Sequence, residues 1–316
     1  MELPSAAAKA AKQAIFAIVV VSIAHTAALG ADRIAGTKVS LEPPPGFEAE
    51  SQFPGFRQKE TGASIAVTEI AGPIDHLRAG LTKSGLAGRG MTLHETSNTK
   101  LDGWDAQLIR VTQPAGGMAF EKWILVFGTS ANSVFIVATY PESDAKTLRD
   151  MMKNAIMTTR WHPDAEVGHF EGLPFRVTET PRLRIANRVS NMVILTEGGA
   201  KGTVAPADPL LVVGTSISEV SLADLKSFSE TRLRQIEQVS GVTNLAGRAT
   251  TVDGLTAYEL TGDANDTRTS KPLRVYQMVV VDGSRYFLAQ GLVGVARADA
   301  FVPLFREVAA SIRRSD

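Results

Sequence analysis

The chain has 316 residues, 44% hydrophobic and 21% charged, with a formal net charge of zero and no cysteine. The missing cysteines exclude disulfides, thiolate metal sites, cysteine nucleophiles and a lipid-modified N-terminal cysteine. The balanced charge gives no compositional case for a nucleic-acid partner or an acidic membrane surface.

Residues 1–30 have the layout of a secretory signal. Lys9 and Lys12 precede the apolar run Ala14 to Ala24, and small residues follow from Ala27 to Ala31. The run is shorter than the ~20 residues a membrane-spanning helix needs. Cleavage is expected after Gly30 or Ala31, which places the mature protein in the periplasm or outside the cell. A retained N-terminal anchor is the alternative, and an uncleaved signal is the only membrane contact expected. Without cysteines, a bacterial envelope fits better than a eukaryotic secretory route.

The first module is read over residues 37–161. Lys38 to Glu42 alternates as a short strand. Pro43-Pro44-Pro45-Gly46 turns the chain and presents Phe47 as a core anchor. Phe53-Pro54-Gly55-Phe56 repeats that turn chemistry, and Ala63 to Ile70 reads as a strand. After Gly72-Pro73, the positions Ile74, Leu77 and Leu81 define one helical face through Lys83, ended by Gly85, Gly88 and Gly90. Leu101-Asp102-Gly103 then opens a three-strand meander: Trp104 to Val111, Ala119 to Phe127, and Ser133 to Tyr140. Ser143 to Arg160 closes the module, with Leu148, Met151, Met152, Ala155 and Ile156 as its apolar stripe.

Residues 162–169 read as a linker, and the order of elements recurs over residues 170–316. Short strands are expected at Phe175 to Thr180, Leu183 to Ala186 and Met192 to Thr196. Leu210 to Gly214 is expected to be a strand buried on both faces. Ser221-Leu222-Ala223-Asp224 suggests a capping box for a helix carrying Leu222, Leu225, Phe228, Leu233 and Ile236, ending near Gly241. The meander returns as Val252 to Thr261, Leu273 to Val281 and Arg285 to Gly291, and Ala298 to Arg314 closes the module. Asp253-Gly254 repeats Asp102-Gly103 at a distance of 151 residues. The fold class is therefore α+β: two tandem α/β/α sandwich modules, each with a mostly antiparallel sheet, a mid-module helix and a C-terminal helix.

The Pro-x-Gly-Phe turn, the helix, the meander opened by Asp-Gly and the closing helix ending in Ser311-Ile312-Arg313 resemble the Mog1/PsbP-like superfamily, whose exported bacterial members include the DcrB-like proteins. Tyr276 to Gly283 and the last helix carry the resemblance best. The resemblance implies a sheet with helices on both faces and no shared catalytic residues.

The chemistry is sparse. There is no phosphate-binding G-x-x-x-x-G-K-[ST] and no dinucleotide G-x-G-x-x-G, so no cofactor is expected. His162, Asp164, Glu166 and His169 are dense in metal-capable groups, but their spacing matches no closed site and no metal is expected. No G-x-S-x-G elbow is present, and Ser216 and Ser218 have no identifiable base, so no catalytic residue is assigned. Glu42, Glu48 and Glu50 read as solvated carboxylates on an edge strand. Trp104 and Trp123, with Tyr276 at the second-module position matching Trp123, are the candidate ligand or packing positions. The expected function is an exported, non-enzymatic binding or assembly protein of the bacterial envelope, with an envelope protein or a small ligand as partner. A hydrolase with dispersed catalytic residues and a carrier of an apolar ligand are the alternatives.

Overall fold

The computed structural model describes residues 33–315 except 203, 218 and 220–223. The signal and cleavage site expected over residues 1–31, Ser218 and the Ser221-Leu222-Ala223 part of the expected cap lie outside the described residues.

In the first module, β1 (Val39–Ser40) leads to β2 (Glu48–Ala49), β3 (Gly55–Arg57) and β4 (Ser64–Ala71). Helices α1 (Ile74–Ala79) and α2 (Lys83–Ala87) follow, then β5 (Thr92–Leu101), β6 (Trp104–Ala115), β7 (Met118–Gly128), β8 (Asn132–Pro141), α3 (Ala145–Met157) and β9 (Arg160–Trp161). The sheet order is β2-β3-β4-β8-β7-β6-β5, all antiparallel. The second module repeats it: β10 (Phe175–Arg176), β11 (Leu183–Val189), β12 (Met192–Glu197), β13 (Leu210–Thr215), α4 (Leu225–Arg234), β14 (Val239–Val252), β15 (Leu255–Asp266), β16 (Pro272–Asp282), β17 (Arg285–Gly294), α5 (Ala298–Ala310) and β18 (Arg313–Arg314). Its order is β11-β12-β13-β17-β16-β15-β14, position for position the order of the first sheet. Small ladders close both copies: β1 pairs with β9, and β10 with β18.

Each sheet is covered on two faces because its strands alternate. On one face of the first sheet, Ile65, Leu108, Leu125 and Ile136 pack under α3, which buries Leu148, Met152, Ala155 and Ile156. On the other, Ile109, Ile124 and Val126 pack with Ile74, Leu81 and Leu86 of the α1–α2 segment. Burying each large apolar side chain contributes about 1.5–3 kcal/mol. In the second module α5 covers Val213, Met278 and Ala289. There α4 covers Leu260, Leu273 and Val275 through Leu233.

Several expectations need correction. The helix predicted through Lys83 is two short helices. Gly80 caps the first, and Thr82 starts the second by accepting from the Gly85 amide at 3.2 Å. Gly55 and Phe56 belong to a strand rather than a turn. Leu210 to Thr215 is deeply buried on one side only, since Leu210 and Val212 remain partly exposed. The physical reason is that α4 lies over β14, β15 and β16, not over β13. Helix α4 begins one turn later than expected, with Asp224 as its cap, accepting from the Ser227 amide at 3.0 Å. It ends at Arg234, so Ile236 lies beyond it. Each meander has four strands rather than three, because β5 and β14 precede the Asp-Gly turns. Those turns are tight hairpins. Asp102 and Gly103 have φ of 48° and 88°, and Asp253 and Gly254 have 52° and 75°, the doubly left-handed pattern that Asp-Gly accommodates best.

Candidate functional site

Of the three candidate aromatic positions, Trp123 and Tyr276 are core residues and Trp104 packs against the core. Trp123 is 2% exposed beneath α3, and its indole N–H donates to the Arg149 carbonyl at 3.0 Å. Arg110 pairs with Trp123, and Thr261, 151 residues after Arg110, pairs with Tyr276. The register therefore makes Trp123 and Tyr276 equivalent. Tyr276 is fully buried against Phe305, ring centroids 6.2 Å apart. Its hydroxyl has no hydrogen-bond partner among the described residues, and burial pushes its pKa up. Trp104 is half-buried and meets Trp161 edge-on at 4.8 Å.

The strongest electrostatics also lie in the cores. Glu121 on β7 is 1% exposed. It accepts from Tyr140 at 2.6 Å and from Arg149 at 2.6 and 2.7 Å, with Arg110 at 3.5 Å. Burial raises its pKa, but the hydrogen bonds from Arg149 and Tyr140 and the charges of Arg149 and Arg110 outweigh burial and hold it below the ordinary carboxylate value. In the second module the most buried carboxylate is Glu259 on β15, held by Arg248 at 2.6 Å and by Arg306 of α5 at 2.5 Å. Both carboxylates sit under the closing helix, yet on strands that are not equivalent. These groups are consumed in ion pairs and face neither of the two clefts described next.

One cleft, of about 640 Å³, lies where β2, β3 and the turn between them meet Arg285 and Glu219 of the second module. Its charges are mostly spoken for. Arg57 binds Glu50 at 2.6 Å and Lys59 binds Glu48 at 2.8 Å. Arg285 reaches Ser51 at 3.2 Å, and Gln52, with its amide oxygen turned toward Arg285, accepts from it at 2.6 and 2.8 Å.

The larger cleft, about 980 Å³, lies between the modules. Its first wall is the C-terminal half of β4, with Glu69, Ile70 and Ala71. The linker forms the floor from Pro163 to His169. The opposite wall comes from β11 and β12 and the loop after them, including Arg188, Ile194 and Lys201. Glu69 shares a strand face with the inward Ile65 and Val67, yet it ends in the cleft. There it accepts from the Trp161 indole at 3.0 Å and the Lys38 amide at 2.7 Å. Trp104 thus reaches this wall only through Trp161.

Arg188 packs the second module against Gly36, just before the first. It donates to the carbonyls of Glu171 and Ser190, and burial holds its pKa below the ordinary value. Its third nitrogen lies against Gly36. A Cβ there would come within 2.1 Å of it, and Gly36 also has φ of 78°. Replacing Gly36 by Ala should expel the guanidinium and destabilise the protein by about 2 kcal/mol, measured by urea unfolding. An unchanged midpoint would show that the Gly36–Arg188 contact does not contribute to stability.

Of the metal-capable set, Asp164, Glu166 and His169 line this cleft, whereas His162 turns to Ser40 at 3.1 Å. Among the described residues no three His, Cys, Asp or Glu side chains are gathered for a metal ion. Ser216 is engaged by the Tyr286 amide at 3.3 Å. Glu69 and Arg188 were not singled out from the sequence. The one available signal was a carboxylate on the inward face of an otherwise apolar strand.

The architecture is thus a tandem pair of antiparallel sheets, each flanked by helices. No family model matches the chain, and no curated protein matches it. Among solved structures it is similar to LpqN from Mycobacterium tuberculosis, described as involved in cell envelope biogenesis: 14% identity, 45% of this chain and 83% of that one, TM-score 0.33. It is also similar to the PsbP of the cyanobacterium Synechocystis, at 12% identity over 49% of this chain and 100% of that one, TM-score 0.29. The immunity protein TplEi from Pseudomonas aeruginosa aligns across both modules: 12% identity, 89% of this chain and 96% of that one, TM-score 0.31.

Proposed function

We propose that the chain is an exported, non-enzymatic binding protein of the bacterial envelope whose binding site is the cleft between its modules. The observation that carries this reading is the cleft itself, about 980 Å³ and built jointly by both modules and the linker. That volume is typical of ligand sites, and sites favour domain interfaces. Export rests on the signal pattern of residues 1–30. Among the described residues no helix is long and apolar enough to cross a membrane. The non-enzymatic reading is supported by where the buried acid and phenol lie, since the shifted group lining the cleft, Arg188, is a guanidinium already donating to two carbonyls. Glu121, Tyr140 and Arg149 are locked together in a core instead of converging on a cavity.

Ala71 is exposed at the end of β4 and lines the cleft. Ala71→Trp obstructs the cleft beside β4 while leaving both cores intact. Its recovery of envelope partners in pull-downs should fall about tenfold, or 1.4 kcal/mol, at an unchanged melting temperature. Equal recovery by the variant and the parent would remove the cleft as the binding site.

A further inference from the structure

The outer strands of the two sheets are β2, β5, β11 and β14. An unpaired edge is a template for another strand, and natural edges are usually blunted. Three of these are. Strand β2 has only two residues. Strand β5 is bulged between Leu93 and Glu95 and carries Lys100. Strand β11 is bulged between Ile185 and Asn187, and the Glu179 carboxylate takes its Ile185 amide at 2.5 Å.

Strand β14 differs between its halves. From Ser240 to Ala246 its register shifts twice, and Arg234 takes the Val242 carbonyl at 3.0 Å. From Ala246 to Val252 it pairs residue for residue with β15, without bulge, proline or lysine. The one charge in that stretch, Arg248, is held by Glu259 at 2.6 Å.

The hairpin fixes which amides are free. Val252 and Leu255 flank the two-residue turn and bond to each other. Antiparallel ladders alternate, so Thr250 and Arg248 also bond inward to β15. Gly247, Ala249 and Thr251 therefore turn their N–H and C=O groups outward. Among the described residues no backbone group pairs with them there.

This stretch is complementary to itself. It runs from the second bulge to the hairpin turn, and its midpoint is Ala249, an outward residue. A Cβ on Gly247 would come within 2.7 Å of the Tyr258 ring, so that ring lies across the glycine. An antiparallel copy centred on Ala249 sets Gly247 opposite Thr251 of the second copy, whose methyl then meets the Tyr258 ring. On the other face Arg248 comes opposite Thr250 of the second copy, so no like charges are directly opposed. Centring on Arg248 instead would place two guanidiniums face to face.

We propose that β14 is a self-association surface. Two copies pair antiparallel along Ala246–Val252 about a two-fold axis at Ala249, joining their second-module sheets into one. This goes beyond the cleft reading and does not depend on it. An interface built mainly of backbone pairing falls below about 1,200 Å², so dissociation constants from about 1 μM to 1 mM are the range to scan.

Sedimentation velocity of the purified protein over that range should show a monomer–dimer equilibrium. Ala249→Pro removes an outward N–H without touching the β15 ladder. Ala249→Lys, at an exposed position, sets two cations at the axis. Each should raise the dissociation constant at least about tenfold at a parental melting temperature. Should Ala249→Pro fail to fold, Ala249→Lys decides alone. Hydrogen exchange at Gly247, Ala249 and Thr251 should slow as concentration rises, and exchange in the bulged half of β14 should not. A protein monomeric at every concentration overturns the proposal, whatever other strand the edge accepts. A dimer that Ala249→Lys leaves unweakened overturns it as well and places self-association on another surface.

Discussion

Trp123→Ala should destabilise the protein by about 4 kcal/mol, the range for emptying a large aromatic site in a packed core. The side chain is 2% exposed and meets Leu125, Tyr140 and Leu148 in the cluster beneath α3. Lys153 and Arg110 lie over its ring at 4.9 and 5.8 Å, so the loss reaches the polar margin as well. Its indole N–H is hydrogen-bonded to α3. The equivalent Tyr276 has no partner for its hydroxyl among the described residues. Tyr276→Phe removes a group that costs about 1–3 kcal/mol when buried unpaired, so that variant should be as stable as the parent or more so. Urea midpoints compare the pair directly. A Trp123→Ala change below about 1 kcal/mol would place Trp123 outside the core energetics and reopen a ligand role for it.

The second large effect concerns Glu121. Arg149→Met leaves the carboxylate buried with Tyr140 and a distant Arg110. Losing one partner of a buried pair costs about 3–5 kcal/mol. The Arg149 side chain is 43% exposed, so solvent screening lowers the expectation to about 2–3 kcal/mol. Adding Glu121→Leu removes the stranded charge and should recover about 1–2 kcal/mol, less than the full loss because the Tyr140 hydroxyl then lacks its acceptor. A double variant no more stable than Arg149→Met would show that Glu121 is not stranded by losing Arg149. The same pair sets a pH dependence. The Glu121 pKa is lowered by folding, so its contribution is present above the ordinary carboxylate value near 4.5 and is lost as pH falls through the lowered value. The stability gap between the parent and Glu121→Gln should therefore narrow below about pH 4.5.

Much of the fold was legible because its signals are local. Asp102-Gly103 and Asp253-Gly254 mark the two hairpins, and the apolar stripes of α3 and α5 mark the closing helices. The strands before those hairpins were not legible. Most of β5 and β14 is solvent-exposed, and stretches such as Thr96-Ser97-Asn98-Thr99 have no apolar alternation to read. Gly80 hid a break because Ile74, Leu77 and Leu81 kept helical spacing across it. The cleft was illegible for a different reason. Glu69 and Arg188 become neighbours of one space only when the two modules pack, and no spacing along the chain encodes that.

The small ladders β1–β9 and β10–β18 carry a historical consequence. Each holds the first and last segments of a module side by side, so a module's entry and exit points are adjacent. An in-frame duplication of the coding segment would deliver the second copy where the first one stops, with no long connector laid across either sheet. Descent from a single-module ancestor then requires one genetic event. On that descent, the residues that differ between the copies, including the displaced carboxylates Glu121 and Glu259, would record what each copy acquired afterwards.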